Sequence, residues 1–167
     1  MITIISGSNR VGNNTKKVAK EYLRILSEDN KQEASIFALD EINGSVRDVP
    51  FIRAEADMLI PAEKFIIIMP EYNGSYPGIL KLMIDNTDIK RAWAHKKVLL
   101  VGVSTGRAGN LRGMEHLTGV LLHMKMLVHP NRLPISVVDK MLDAESRFSD
   151  QSTLTSIQAQ LKEFLQF

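Results

Sequence analysis

Three short polar stretches carry the residue types from which a ligand site is built, and each follows an apolar run. The first is Gly7-Ser8-Asn9-Arg10-Val11-Gly12-Asn13-Asn14-Thr15. Small hydroxyl residues, an arginine and the amino end of a following helix make a phosphate cradle. Unpaired backbone N–H groups donate, and the helix dipole and guanidinium supply positive charge. The patterns GxxxxGKS/T and GxGxxG are absent, so neither an NTPase nor a dinucleotide-binding Rossmann unit is indicated. The same residues also suit a plain helix cap, with Asn13, Asn14 or Thr15 as N-cap and Arg10 incidental. The second stretch, Glu71-Tyr72-Asn73-Gly74-Ser75-Tyr76, brings an aromatic pair, an amide and a carboxylate together. Its alternative is a turn whose tyrosines merely cover a sheet edge. The third, Ser104-Thr105-Gly106-Arg107-Ala108-Gly109-Asn110, is glycine-rich and also reads as a helix entry.

The flanking elements explain how three distant loops could meet. Residues 65–69 form an apolar run that reads as a strand buried on both faces and stopped at Pro70. Pro77 suits a first helical turn, and Ile79, Leu80, Met83 and Ile84 carry helical spacing through a helix expected over 78–93. Strands are also expected at 2–6, 33–39, 97–103 and 135–138, the one at 33–39 alternating as an edge strand does. Helices are expected at 14–27, 110–126 and 152–167, with a short one over 52–60. Strand–helix alternation with short connections argues a parallel sheet covered on both faces. Loops after parallel strands emerge at one edge, where open α/β sheets bind ligands.

Composition sets the outer bounds. The 167 residues fit one domain with a sizeable core, and 44% hydrophobic with 24% charged residues is ordinary globular material. The absence of cysteine excludes disulfides, thiol catalysis and thiolate metal sites and is compatible with the cytoplasm. The opening residues MITIIS read as a strand, and neither a leader pattern nor a membrane-length apolar run is present. A net charge of +2 gives no ground for nucleic-acid binding. Lys90-Arg91 and His95-Lys96-Lys97 read as a solvated rim. His116 and His123, seven apart on one helix, share a face without a third metal ligand.

Residues 70–85, PEYNGSYPGILKLMID, resemble the signature of the NAD(P)H-dependent FMN reductase family, flavodoxin-like enzymes that include quinone, chromate and azo-dye reductases. The family pattern is Pro-Glu-Tyr-Asn, Pro-Gly, Leu-Lys-Asn and Ile-Asp-Trp; Leu82 and Asn86 replace its asparagine and tryptophan here. Gly7-Ser8-Asn9-Arg10 with Asn13-Asn14-Thr15 is similar to the family's Gly-Ser-x-Arg and Ser-Asn-Thr, Asn13 standing for serine. The third stretch also resembles the family's glycine-rich segment, with Arg107-Ala108 before Gly109 where paired glycines are common.

The resemblance implies an α/β, flavodoxin-like fold, a five-stranded parallel sheet with helices on both faces, and one FMN-binding domain over 1–167. It implies Ser8, Arg10, Asn13, Asn14 and Thr15 at the FMN phosphate. Pro70, Glu71, Tyr72, Asn73 and Ser75 would lie along the isoalloxazine, and Ser104, Thr105 and Gly106 at its pyrimidine edge. No side chain is expected as a catalytic acid or base and no metal is expected. Hydride would pass from NADPH or NADH to flavin N5, then to a quinone, free flavin or similar small acceptor, in ping-pong order. A cytoplasmic homodimer or homotetramer is implied, the partner completing the flavin site, with neither nucleic acid nor membrane as partner. Two alternatives stay open: a flavodoxin-like electron carrier, disfavoured because such carriers are strongly acidic, and a flavin-binding module without turnover. Leu82, Asn86 and a short 40–61 region keep the latter in play.

Overall fold

The computed structural model describes residues 1–28 and 30–167. Three runs of apolar residues make the centre of its sheet: β1 (Ile2–Ser6), β3 (Lys64–Pro70) and β4 (Lys97–Val103). Their middles are buried throughout, which is why the sequence shows continuous hydrophobicity there rather than alternation. β2 (Ala34–Ala38) pairs outside β1, and the order is β2-β1-β3-β4-β5, all parallel. The fifth position is divided. β5 (Leu127–Val128) pairs with the start of β4 and β6 (Leu133–Ile135) with its end, so the sheet has six strands in five places.

Alternate strand residues face opposite layers. Ile5, Ile67 and Leu100 pack with α2 (Val49–Ala54), α3 (Gly78–Asp85), α4 (Ile89–Ala92) and α5 (Leu111–His123). Ile4, Ile66 and Leu99 pack with α1 (Asn14–Glu28) and α6 (Gln151–Gln166). Lys64 Nζ donates to the carbonyls of Phe164 and Leu165, closing the carboxyl end of α6 against the sheet.

Several expected boundaries move, each for a local reason. Pro77 is the N-cap of α3 with extended backbone, not part of its first turn. The helix expected over 78–93 breaks in two. Thr87 Oγ1 donates to Ile84 O at 2.6 Å, and Asp88 starts α4 by accepting from the N–H groups of Lys90 and Arg91. The short helix expected over 52–60 begins earlier, at Val49, because Asp48 caps it, and it widens into a π-helical turn over Glu55–Leu59. The strand expected at 135–138 lies at 133–135, and Val138 belongs to a 3₁₀ turn, Val138–Lys140. The helix expected over 110–126 ends at His123.

Lys96 is not a rim residue. Its Nζ donates to the carbonyls of Leu59 and Ile60, closing the π turn, and it lies over the Phe65 ring. Burial pulls its ammonium below the usual lysine range. The buried Glu55 carboxylate is paired with Arg47 at 2.8 Å and accepts from the N–H of Asp88, tying residues 47–55 to the α3–α4 break.

That break also seats the only tryptophan of the chain. Trp93 is fully buried, packs on Phe65 with ring centroids 4.9 Å apart, and donates Nε1–H to Thr87 Oγ1 at 2.6 Å. Thr87→Val removes that acceptor and leaves a buried indole N–H unpaired. We expect a loss of about 1–3 kcal/mol, read by tryptophan fluorescence in urea, with Thr87→Ser retaining most of the stability. Equal stability of the valine and serine variants would count against this account of the break.

Candidate functional site

The register at the sheet's carboxyl edge brings the three polar loops together. Ser6 stands level with Ile68, and Ile68 with Val101, so β1, β3 and β4 release their chains at one height. The chain after β1 crosses toward β2 and the chain after β3 toward β4, which opens a crevice between them.

Residues 7–15 line one wall of a cavity of about 500 Å³ through Ser8, Arg10, Val11, Gly12, Asn13, Asn14 and Thr15. Asn13 is the N-cap of α1, its Oδ1 accepting from the N–H of Lys16 at 2.7 Å while Nδ2 donates to Arg10 O at 2.6 Å. Its side chain is therefore engaged at both ends in shaping the loop. Lys16 faces elsewhere, its Nζ held by Asp40 and Glu41 at 2.9 and 2.5 Å. The hydrogen bond to Glu41 raises Lys16 above its usual range, with Asp40 adding to it and burial opposing. The positive group left at this wall is Arg10, exposed, its guanidinium 4.1 Å from the centroid of the Tyr72 ring.

The second loop is a hairpin tip. Tyr72 and Ser75 exchange backbone hydrogen bonds of 2.9 and 3.2 Å, and between them Asn73 and Gly74 take positive φ of 53° and 75°, as a type I′ turn requires. The dipeptide Asn-Gly is the sequence mark of that turn. The hairpin presents Tyr72 to the first loop, and its hydroxyl shares a 2.8 Å hydrogen bond with the buried Ser8 Oγ. Pro70, Glu71, Tyr72 and Asn73 line the cavity. Ser75 does not; its Oγ is hydrogen-bonded to His116 Nδ1 at 2.9 Å, on the side of α5.

The third loop is held down by polar bonds at both ends. Ser104 Oγ donates to Gly106 O and accepts from the N–H of Gly109, both at 2.9 Å. Asn110, fully buried with φ of 60°, donates its amide to Pro70 O at 2.9 Å and its N–H to Glu71 Oε2 at 3.2 Å. Gly102 makes the approach possible, because a Cβ there would stand 2.1 Å from Gly109 O. Ser104 and Thr105 line the cavity; Gly106 lies beside it, on a neighbouring hollow.

Eleven of the thirteen expected site residues thus border one space, Ser75 and Gly106 being the exceptions. The structure adds Val11, Gly12, Val103 and Val138. Val138 arrives from a fourth segment, whose N–H groups at 137 and 138 donate to the carbonyls of Gly106 and Ser104. In sequence it is one of an apolar run, with nothing to set it apart from a strand residue. Asn110 was bounded by the third stretch, but no role was legible for it. His116 and His123 do share a face and border a separate groove between α3 and α5. Among the described residues no cluster of three metal-ligating side chains exists, and no helix is long and apolar enough to cross a membrane.

The strand order, the crevice and its polar loops define a flavodoxin-like α/β fold. Solved structures agree over nearly the whole chain. The flavoenzyme NAD(P)H:(acceptor) oxidoreductase FerB from Paracoccus denitrificans superposes with a TM-score of 0.76 at 21% identity, covering 99% of this chain and 94% of that one. A flavodoxin from the domain Archaea superposes with 0.64 at 12% identity, covering 99% and 97%. The family model for NADPH-dependent FMN reductase matches residues 1–138, and the chain belongs to that family of FMN-dependent oxidoreductases. Among curated relatives, an NAD(P)H-dependent FMN reductase of Pseudomonas aeruginosa is 29% identical over 167 residues, covering 95% of this chain and 89% of its own. A quinone reductase of Escherichia coli K12 is 31% identical over 120 residues, covering 70% and 64%.

The Gly102 contact generates a test of the cavity wall. Gly102→Ala drives a methyl group into the Gly109 carbonyl, so we expect about 1–3 kcal/mol of destabilisation and faster amide exchange across 104–110. Gly106→Ala, whose Cβ meets nothing within 4 Å, is the control and stays near wild type. A Gly102→Ala protein as stable as wild type would mean the loop does not need this close approach.

Proposed function

We propose that this chain is an FMN-dependent NAD(P)H oxidoreductase that reduces a quinone, free flavin or similar small acceptor in ping-pong order, its 167 residues acting as one FMN-binding domain. The observation that carries the reading is the cavity of about 500 Å³ at the β1/β3 crevice, with the amino end of α1 and Arg10 on one wall and Tyr72 and Asn73 on the other. The donor set fits FMN. A monophosphate needs N–H donors, hydroxyls and one guanidinium, and Asn14, Thr15, Ser8 and Arg10 supply them. The first backbone N–H groups of a helix have no intrahelical partner. Of those, Lys16 is already taken by Asn13, which leaves Asn14 and Thr15 for a ligand.

Pro70, Glu71, Tyr72 and Asn73 would border the ring system, with Ser104 and Thr105 at its edge and Gly106 just beyond. Ser75 would act through its bond to His116, holding the hairpin in place. Bound FMN would supply the two-electron redox chemistry, and the chain's own residues would hold and orient it. No side chain in the cavity need transfer a proton in a leading role. Donor and acceptor would enter the same open cavity in turn, which is the basis of the ping-pong order.

A homodimer or homotetramer suits the outer face of α3 and α5. Ile89 is exposed at a groove of about 550 Å³ there, lined also by Ile84, Val120 and Met124, and Leu82 and Leu122 are exposed elsewhere on α3 and α5. A cysteine-free reductase that draws on NAD(P)H fits the cytoplasm. The carrier reading has a fold neighbour in its favour, but a net charge of +2 is far from the strong acidity typical of such carriers.

Two experiments test this. Purified protein loaded with FMN should keep it through desalting. Anaerobic NADH or NADPH should bleach the bound flavin, a quinone should restore it, and varied-quinone plots should be parallel. A bound flavin that neither nucleotide bleaches ends the reductase reading. Secondly, Arg10→Ala removes a charge-assisted bond of about 1.5–3 kcal/mol, so FMN affinity should fall roughly ten- to a hundredfold. Thermal stability of the apoprotein should hold, because Arg10 is exposed; unchanged FMN affinity would put the phosphate elsewhere.

A further inference from the structure

At the opposite end of the sheet from the flavin cavity lies another hollow, of about 470 Å³, between the segments that lead into β3 and β4. Its wall includes Ile60, Glu63, Lys64, His95, Lys96 and Lys97. Glu63 and His95 are exposed, so solvent reaches it directly. Lys64 and Lys97 are partners in the β3/β4 register, which brings their positive charges to one edge beside Lys96.

The three lysines differ in what they touch. Lys64 Nζ donates to the carbonyls of Phe164 and Leu165, at the carboxyl end of α6, and Lys97 Nζ donates to Phe167 O. Lys96 Nζ donates to Leu59 O at 3.0 Å and Ile60 O at 2.7 Å. Ile60 lines the hollow, so this nitrogen sits at its wall, with the Phe65 ring centroid 5.6 Å away. Both partners of Lys96 are neutral, whereas Lys16 and Lys81 each hold a carboxylate. Burial without a countercharge lowers the pKa of Lys96 below the ordinary lysine range. Lys64 is lowered too, by burial and then by Lys97, with Glu63 opposing. A neutral amine has two N–H groups and one lone pair. Leu59 and Ile60 can accept both N–H groups, which leaves the lone pair of Lys96 free. A desolvated lysine of this kind is a nucleophile near neutral pH, because more of it is uncharged.

We propose that Lys96 is an acylation site, its amine taking the acyl group of a small acyl phosphate drawn into the hollow by the neighbouring lysines. In that step the Nζ lone pair attacks the carbonyl carbon of the donor. The N–C bond forms, the C–O bond to the phosphoryl group breaks, and inorganic phosphate leaves with that electron pair. The nitrogen releases one proton to solvent, and nothing is oxidised or reduced. The anionic donor meets Lys64 and Lys97 against one carboxylate, Glu63, which already faces the Met1 amine at 3.8 Å. The amide formed is neutral and has a single N–H, so only one of the Leu59 and Ile60 carbonyls keeps its partner. The π-helical turn Glu55–Leu59 thereby loses part of what closes it. Neither step involves the flavin cavity.

Acetyl phosphate is the probe, added to the intact chain, with acetylation of each lysine timed by peptide mass spectrometry. Lys96 should be modified roughly three- to tenfold faster than the exposed Lys20, Lys90, Lys125 and Lys162, because more of it is uncharged at neutral pH. Its rate should level off at a lower pH than theirs, and excess inorganic phosphate should slow it selectively. Amide exchange across residues 55–60 should quicken once Lys96 is acetylated. Lys96→Arg keeps donors for both carbonyls and offers no free amine, so it should lose the fast site and melt as wild type does. A Lys96 rate no higher than that of the exposed lysines overturns the proposal. So does fastest modification at Lys64, a Lys96 rate that phosphate leaves unchanged, or modification of Lys96 only in unfolding urea.

Discussion

The in-register parallel pairing of β1, β3 and β4 is the constraint from which the site follows. β3 is hydrogen-bonded along both edges, and its partners end within a residue or two of it. Three loops therefore start at nearly one height, and because successive crossovers diverge on either side of β1 and β3, the space between them stays open. Burial of both faces is what keeps that register from slipping. A one-residue shift would exchange Ile5, Ile67 and Leu100 for Ile4, Ile66 and Leu99 on each layer, and helix packing has been shaped to the present arrangement.

The loops themselves are held by polar and steric devices rather than by apolar burial. Asn13 closes the first loop on itself, the Asn73-Gly74 turn sets the second, and Ser104 with Asn110 fixes the third. Cross-links then join them: Tyr72 to Ser8, Glu71 to Asn110, and Gly106 to the segment after β6. The consequence is a rim whose geometry exists before a ligand arrives. Pre-organisation of this kind lowers the ordering cost of binding. Arg10 is the exception, because its only contact of this kind is a stacking one with Tyr72 at an exposed position.

Much of this was legible in the chain, and the misses share a cause. Continuous β-branched runs located β1, β3 and β4, and Gly-Ser-Asn-Arg, Pro-Glu-Tyr-Asn and Ser-Thr-Gly located the loops. What periodicity could not reveal were events decided by single polar bonds. Thr87 and Asp88 break a helix that its apolar spacing would continue. Lys96, one of three consecutive basic or imidazole residues, turns inward because two carbonyls at the end of a π turn await a donor. Ser75 sits within the signature stretch yet faces His116, because the type I′ turn directs residues 72 and 75 through pairing that no local pattern announces. Val138 reaches the cavity through a 3₁₀ turn entered from Val137 at a φ of 48°, a conformation costly for a β-branched residue and invisible to propensity.

The fold alone does not separate a reductase from a carrier, since flavodoxins superpose on it. The features that had kept a non-enzymatic reading open can now be placed. Leu82 lies on the exposed side of α3, with about half of its surface in contact with solvent. Asn86 closes the end of α3 and donates to Gly44 O at 3.1 Å, while Trp93, seven residues on, fills the core against Phe65. The short 40–61 region is braced against the α3–α4 break through Arg47 and Glu55. None of these residues borders the cavity at the β1/β3 crevice. These departures fall on the helical layer behind the site, whereas the other two, Asn13 for serine and Arg107-Ala108 for paired glycines, lie in the loops at its edge. The cavity itself is lined by Ser8, Arg10 and the amino end of α1 on one side and by the Tyr72–Asn73 hairpin on the other.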